Sequence, residues 1–319
     1  MGVQDTLKRQ QMYKMRCPAC GDTHTVKNGK RGGVQLYVCK ECGYQFRNNR
    51  AISQDTLWRS YQDGKQTVAE LAAALGVSES TIKRRLREIE REWEQPVLPE
   101  GGIVHLDATY WGRNSGVMLA LDERTGRPLY LAFIEHEKVQ DYVDAIHSID
   151  GRGYVIRGIV IDGMRSLFEE LRCYRIQMCQ YHMIQIVQRY LTQHPKLIAA
   201  RELNALVGSI TTKREADFVK EYKDWKSKWQ EMLNRRSILK SGKTRFTHRR
   251  LRSAMYSIDF YLPYLFTYQQ PGCEGMPNTN NKIEGTFTDL KKNLNNHSGM
   301  SRENRKRFIS GFFLALCEI

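Results

Sequence analysis

Two aspartates close apolar runs in this chain: Asp107 follows IVHL at residues 103–106, and Asp162 follows VIRGIVI at residues 155–161. A desolvated, isolated carboxylate is costly, so each acid stands at a solvated strand end or beside a cation. If the two strands are neighbours, both carboxylates emerge at one rim of a sheet and share divalent metal through hard oxygen ligands. The best third acid lies in NTNNKIEGTFTDLKKNLNNHSGM, where Ile283, Phe287, Leu290 and Leu294 recur at helical spacing. Glu284 and Lys291 are seven residues apart, on almost one azimuth at the edge of that stripe. A carboxylate with a cation two turns behind it suits metal ligation beside a phosphate backbone, whereas Asp289 points elsewhere.

A second metal chemistry is written in cysteines. CPAC, with Cys17 and Cys20, and CKEC, with Cys39 and Cys42, are two thiolate pairs with the spacing of zinc knuckles. Four protein thiolates leave no open coordination position, so this Zn²⁺ holds structure. VQLYV between the pairs alternates as a strand, and Gly21, Gly29, Gly32 and Gly33 supply turns, which predicts a zinc ribbon over residues 13–48. Cys179 and His182, in CQYH, are too few for a closed zinc site. From the residues alone they read as a buried thiol beside a capping imidazole.

The elements that must position these residues follow from periodicity. Thr67 caps VAELAAAL, Gly76 turns, and Ser78 caps ESTIKRRLREI, with Lys83, Arg84, Arg85 and Arg87 off the apolar face. This predicts a helix-turn-helix over 53–93 whose second helix reads DNA. QPVLPEGG at 95–102 breaks the pattern as a linker. Then IVHLDATYW, GVMLALDERTG and RPLYLAFIE read as three strands, followed by alternating helices and strands, hence an α/β layer fold. Residues 193–264 read as mostly helical, with Trp225 and Trp229 as helix core. Within them, KSGKTRFTHRRLR holds Lys240, Lys243, Arg245, Arg249, Arg250 and Arg252 without an acid, a flexible basic loop able to follow a DNA backbone.

The totals agree. Fifty Lys and Arg against 35 Asp and Glu give a net charge of +15, which favours a polyanionic partner, nucleic acid ahead of an anionic membrane surface. No apolar run approaches the ~18 residues of a membrane span, and MGVQDTLKRQQMYK lacks the apolar centre of a signal peptide, so a cytoplasmic, nucleoid-associated protein is expected. Eight cysteines in a reducing compartment suit metal ligands and buried thiols.

In order and spacing, HLDATYWG, VIDGMRS, CQYH and NNKIEG resemble the Mutator-like superfamily of DDE transposases, in its bacterial insertion-sequence branch with a zinc-binding N-terminus. The resemblance runs from residue 13 to the end. It implies a ribonuclease H-like catalytic domain (101–192 and 265–319) interrupted by an all-helical insertion (193–264). It implies that Asp107, Asp162 and Glu284 hold two Mg²⁺ (or Mn²⁺), with Lys291 as the basic residue after the glutamate and His182 near the chemistry. It also implies double-stranded DNA, element ends and target, as substrate, and a homodimer or larger assembly on it. A silent DNA-binding regulator derived from such an enzyme, and a nuclease without strand transfer, are the rival readings.

Overall fold

The computed structural model describes residues 16–17, 19–32, 34–47, 53–89, 93–94, 96–297 and 299–317. The outermost residues of the expected ribbon (13–15 and 48), most of the basic RNNR and residues 90–92 of the expected helix-turn-helix lie outside them. The chain divides into two units, residues 1–90 and 91–319.

In the first unit, β1 (Thr25–Arg31), β2 (Val34–Cys39) and β3 (Gln45–Arg47) form an antiparallel sheet in that order. Tyr37 of β2 faces Phe46 of β3, and their rings stack at 6.1 Å. Three helices follow: α1 (Gln54–Gln62), α2 (Val68–Leu75) and α3 (Glu79–Arg87). The Thr67 hydroxyl accepts from the Glu70 amide while the Glu70 carboxylate accepts from Thr67, a reciprocal cap. Gly76, at φ +64°, ends α2 in the left-handed conformation that favours glycine, and the Ser78 hydroxyl starts α3. Helix α1, absent from the two-helix pattern, brings Leu57 and Trp58 to join Leu71 and Ile82 in the core.

The second unit is a mixed α/β structure built on a five-stranded mixed sheet of order β6-β5-β4-β7-β8. Strands β4 (Gly101–Gly112), β5 (Ser115–Asp122) and β6 (Pro128–Ile134) form an antiparallel meander. Helix α4 (Val139–Gly151) returns the chain to β7 (Val155–Ile161), which runs parallel to β4. After α5 (Arg165–Glu170), β8 (Ile176–Met178) runs parallel to β7. Val117 to Leu121 of β5 and Ile159 to Ile161 of β7 are covered on both faces, as their continuous apolar runs require.

Helices α6 (Gln180–Leu191), α7 (Ile198–Gly208), α8 (Glu215–Lys228), α9 (Gln230–Asn234) and α10 (Arg249–Tyr261) follow, then α11 (Asn281–Asn296) and α12 (Arg302–Cys317). The expectation of an all-helical insertion needs correction. Residues 236–238 (β9) and 244–246 (β10) pair as an antiparallel hairpin, so the basic stretch is an ordered strand, turn and helix start rather than a loose loop. Arg236 and Arg252 both lie over the Phe246 ring, at 4.5 and 3.6 Å from its centroid, which ties the hairpin to α10. Leu203, Phe218 and Trp225 share one continuous core with Val104 and Ile159 of the sheet. Trp225 is buried with its indole donating to Ala199 O, and Trp229 donates to Glu202, so both tryptophans are structural.

Candidate active site and metal centres

The parallel ladder between β4 and β7 ends at His105 opposite Val160; two residues further on each strand stand Asp107 and Asp162. Adjacent strands lie about 4.8 Å apart, so the register alone brings the two carboxylates together. Asp107 is not, however, at the end of its strand. It pairs with Leu119 of β5, and that antiparallel ladder carries β4 on to Gly112. What stops at Asp107 is the partner on its other side, because β7 ends at Ile161.

Helix α6 adds His182 and the first turn of α11 adds Glu284. His182 Nδ1 lies 2.9 Å from Asp162 Oδ1 and 3.7 Å from Glu284 Oε1. Asp107, Asp162, His182, Glu284 and Lys291 thus line one cleft of about 340 Å³, with Thr109, Phe287 and Thr288. The other acid of α11, Asp289, is exposed and pairs with Lys292 at 3.3 Å.

The charges in this cleft are out of balance. Burial, then the charge of Asp162, holds the Asp107 carboxyl well above its ordinary range, against the pull of the Ala108 amide at 2.7 Å. Burial opposes protonation of His182, but the Asp162 carboxylate and the Cys179 sulfur outweigh it and push the ring up to about 11. Asp162 Oδ1, Glu284 Oε1 and His182 Nδ1 are covered and meet no aligned hydrogen-bond partner. Three carboxylates converging, two of them with a covered, unsatisfied oxygen, are a donor set suited to a hard divalent cation.

A buried network fixes this arrangement, through residues the sequence reading did not single out. His105 is fully buried, its Nδ1 2.6 Å from Asn280 Oδ1 and its Nε2 2.5 Å from Glu123 Oε2. Asn280, at the start of α11, also donates from Nδ2 to Leu106 O and from its amide to Cys179 Sγ. Burial raises the Glu123 carboxyl, but His105 and Lys282 together bring it below its ordinary value. Cys179 is the buried thiol, and its neighbour in the motif, His182, belongs to the acid cleft, so the two readings of the pair divide between its members. The donor atoms of Cys179, His182 and Glu284 lie within 4.8 Å of one another. A polar residue on the covered face of a strand, as in HLD, was the available signal.

In the first unit, the sulfurs of Cys17, Cys20, Cys39 and Cys42 lie within 4.8 Å of one another, with Cys17 to Cys42 at 3.5 Å and Cys20 to Cys39 at 3.6 Å. Zn–S bonds of about 2.3 Å in a tetrahedron place sulfurs about 3.8 Å apart, so the four fit zinc. The two knuckles repeat one geometry: the amides of Gly21 and Gly43 donate to the carbonyls of Cys17 and Cys39. Although burial works against it, the amides of Cys20 and Ala19 hold the Cys17 thiol down at about 7. Cys20 is pushed up to about 12; the Asp22 amide pulls it down, but the neighbouring thiols prevail. Four thiolates this close do not ionise together without a cation.

The basic candidates divide. On α3, Lys83, Arg84 and Arg87 are exposed and Arg85 is half-buried, with Lys83 paired to Glu79 at 3.2 Å. Lys240 and Lys243 flank the hairpin turn. Arg245, Arg249 and Arg250 line a second cleft. Arg252 is turned inward, donating to Leu233 O at 2.7 Å.

No protein-family profile matches the sequence, and no curated protein matches it. Among solved structures, similarity is found to the Drosophila P element transposase strand transfer complex, with 11% identity over 86% of this chain and 88% of that one at a TM-score of 0.31. Similarity is also found to the simian T-cell lymphotropic virus intasome in complex with the PP2A regulatory subunit B56 gamma, with 13% identity over 50% of this chain and 69% of that one at a TM-score of 0.21. Likeness at this level leaves the functional reading to the site itself. Among the described residues, no helix is long and apolar enough to cross a membrane.

Proposed function

We propose that the chain is a DNA transposase of an insertion sequence, with a ribonuclease H-like catalytic core that cuts and joins DNA at the cleft of Asp107, Asp162 and Glu284. The observation that carries the reading is the convergence of two aspartates from adjacent central strands with a glutamate from a far-downstream helix, beside His182 and Lys291. In the first unit, the Cys17, Cys20, Cys39 and Cys42 cluster is a zinc ribbon, and α2 and α3 are a helix-turn-helix that recognises the terminal inverted repeats. Two ends must be brought together for joining, so the working form is a dimer or larger assembly on DNA.

The three carboxylates would hold Mg²⁺ or Mn²⁺, which when bound would supply Lewis-acid activation of an oxygen nucleophile and neutralisation of phosphate charge. The rigid β4–β7 register sets the spacing of Asp107 and Asp162, and α11 brings Glu284 to them. Lys291, two turns along α11, places an ammonium where a phosphate oxygen would lie beside the acids. His182 balances the carboxylates when the site holds no other cation. Water attacks a phosphodiester for cutting, breaking its bond to the 3′-oxygen and freeing a 3′-hydroxyl, and that hydroxyl attacks a target phosphodiester for joining, displacing the target's 3′-oxygen, so no side-chain nucleophile is required.

The test is Mg²⁺-dependent cleavage and joining of labelled DNA that carries the inverted repeats flanking the gene, with binding measured separately. Wild type should cut and join, while Asp107→Asn, Asp162→Asn and Glu284→Gln bind but do neither. Binding without cutting, with Mg²⁺ or Mn²⁺, would instead establish a silent regulator; cutting without joining would establish a nuclease.

A further inference from the structure

A second cleft of the second unit, larger than the acid site, is a different kind of place. It has a volume of about 940 Å³ and lies between the end of α6, the segment leading to α7, and the corner where β10 meets α10. Arg189, Lys196, Arg245, Arg249 and Arg250 line it, and no carboxylate does. Among the described residues, the side chains of Arg189, Lys196, Arg245 and Arg249 have no hydrogen-bond or ion-pair partner. All four are exposed. Arg250 donates to Arg189 O at 2.9 Å, which joins the two walls.

One further feature favours an anion here. Thr247, His248 and Arg249, at the N-terminus of the 13-residue helix α10, face the cleft, and His248 makes no side-chain cap bond, so the positive end of the helix dipole faces the same space. The cations sit on three separate segments rather than around one point. That spread suits a run of phosphates better than a single small anion.

Helix α6 relates this cleft to the acids. His182 in the acid cleft and Arg189 in the basic one are seven residues apart on α6, on nearly the same azimuth and about 10 Å apart along the axis. A duplex rises about 3.4 Å per base pair, so the two clefts are separated by roughly three base pairs along one helix face.

We infer that this basic cleft is a sequence-independent binding site for the duplex DNA backbone, holding DNA about three base pairs from the acid cleft. The inference rests on the reading of the acid cleft as a DNA-cutting centre only for the identity of the polyanion. It extends the site to Arg189 and Lys196, which lie outside the basic stretch evident in the sequence.

The experiment uses the full-length chain and a labelled duplex of unrelated sequence, without inverted repeats, with affinity followed by fluorescence anisotropy across a salt series. Each backbone contact contributes about 0.9 to the slope of log K against log salt. The fourfold variant Arg189→Gln, Lys196→Gln, Arg245→Gln and Arg249→Gln should lower that slope by about 3.6, equally for unrelated sequences, with its melting curve unchanged. The single variant Arg245→Gln should lower it by about 0.9, and serves if the fourfold variant does not fold. An unchanged slope in both overturns the inference while leaving the transposase reading intact. Tenfold tighter binding of an RNA duplex than of DNA overturns the assignment of the polyanion. If the slope falls as expected yet the wild-type chain never cuts DNA with Mg²⁺, the backbone site stands and the catalytic reading fails.

Discussion

His105 and Asn280 stand 175 positions apart in the chain, yet the ring Nδ1 of one meets the side-chain oxygen of the other at 2.6 Å in the interior. Because Asn280 Nδ2 donates to Leu106 O, its oxygen is the atom that faces the imidazole, and His105 donates to it. Asn280 also donates its amide to Cys179 Sγ and accepts the Glu284 amide at its carbonyl. One buried residue therefore binds the strand of Asp107 through its side chain, and the start of the helix of His182 and the first turn of the helix of Glu284 through its backbone.

Asn280→Ala should consequently cost about 1–3 kcal/mol of stability, the penalty for leaving buried polar groups without partners. It should also weaken Mn²⁺ binding at the acid cleft severalfold, because the start of the Glu284 helix loses its side-chain tie to the strand of Asp107. Urea unfolding reads the first effect, and Mn²⁺ titration well below the unfolding range reads the second. A loss of stability with unchanged Mn²⁺ affinity would make the network a structural feature only.

Crowding of acids predicts an inverse relation between stability and binding. Burial and Asp162 both disfavour the charged form of Asp107. Asp107→Asn should therefore raise the melting temperature in chelator, by about 2–4 °C for each kcal/mol of repulsion relieved, while abolishing the stabilisation that wild type gains from Mn²⁺. A melting temperature that falls in chelator would refute the claim that these carboxylates repel one another in the folded chain.

Much of this site was legible because its signals are local. Apolar runs ending in Asp107 and Asp162, the stripe around Glu284 and the matched cysteine pairs all lie within single elements, where periodicity speaks directly. What was misread depends on partners. Asp107 reads as a strand end because its apolar run stops there, but pairing with β5 carries the strand on to Gly112. The hairpin of β9 and β10 has strands of three residues each, too short for an alternation to register, and its basic composition reads as loop. His105, Asn280 and Arg189 acquire meaning only from contacts across the fold.

The cysteine cluster predicts that metal and fold are inseparable in the first unit. One Zn²⁺ per chain should copurify, and a strong chelator or Cys39→Ser should make the segment up to Arg47 sensitive to protease while the second unit stays resistant. Limited proteolysis of the full chain followed by mass spectrometry reads this. Protection that survives complete zinc removal would show that the small sheet stands on Tyr37, Phe46 and its strand pairing alone.

Asp122 makes a prediction about acid. It is fully buried at the end of β5 and accepts from Tyr154 Oη at 2.5 Å, Thr125 Oγ1 at 2.6 Å and the Thr125 amide at 2.7 Å. Burial alone would raise its carboxyl, but these donors outweigh burial and hold it below the ordinary range. A folded-state value lower than the unfolded one means the unfolded chain binds the proton more readily. The stabilisation is therefore present in full above the unfolded value of about 3.9 and is lost as the pH falls through the lower, folded value. Asp122→Asn should cost about 1–3 kcal/mol near neutral pH, and its deficit relative to wild type should stay constant down to about pH 5 and shrink below about pH 4. Paired urea titrations across that range measure the deficit directly. A deficit that does not shrink in acid would mean that packing at this position, rather than the carboxylate's charge-assisted bonds, is what the substitution removes.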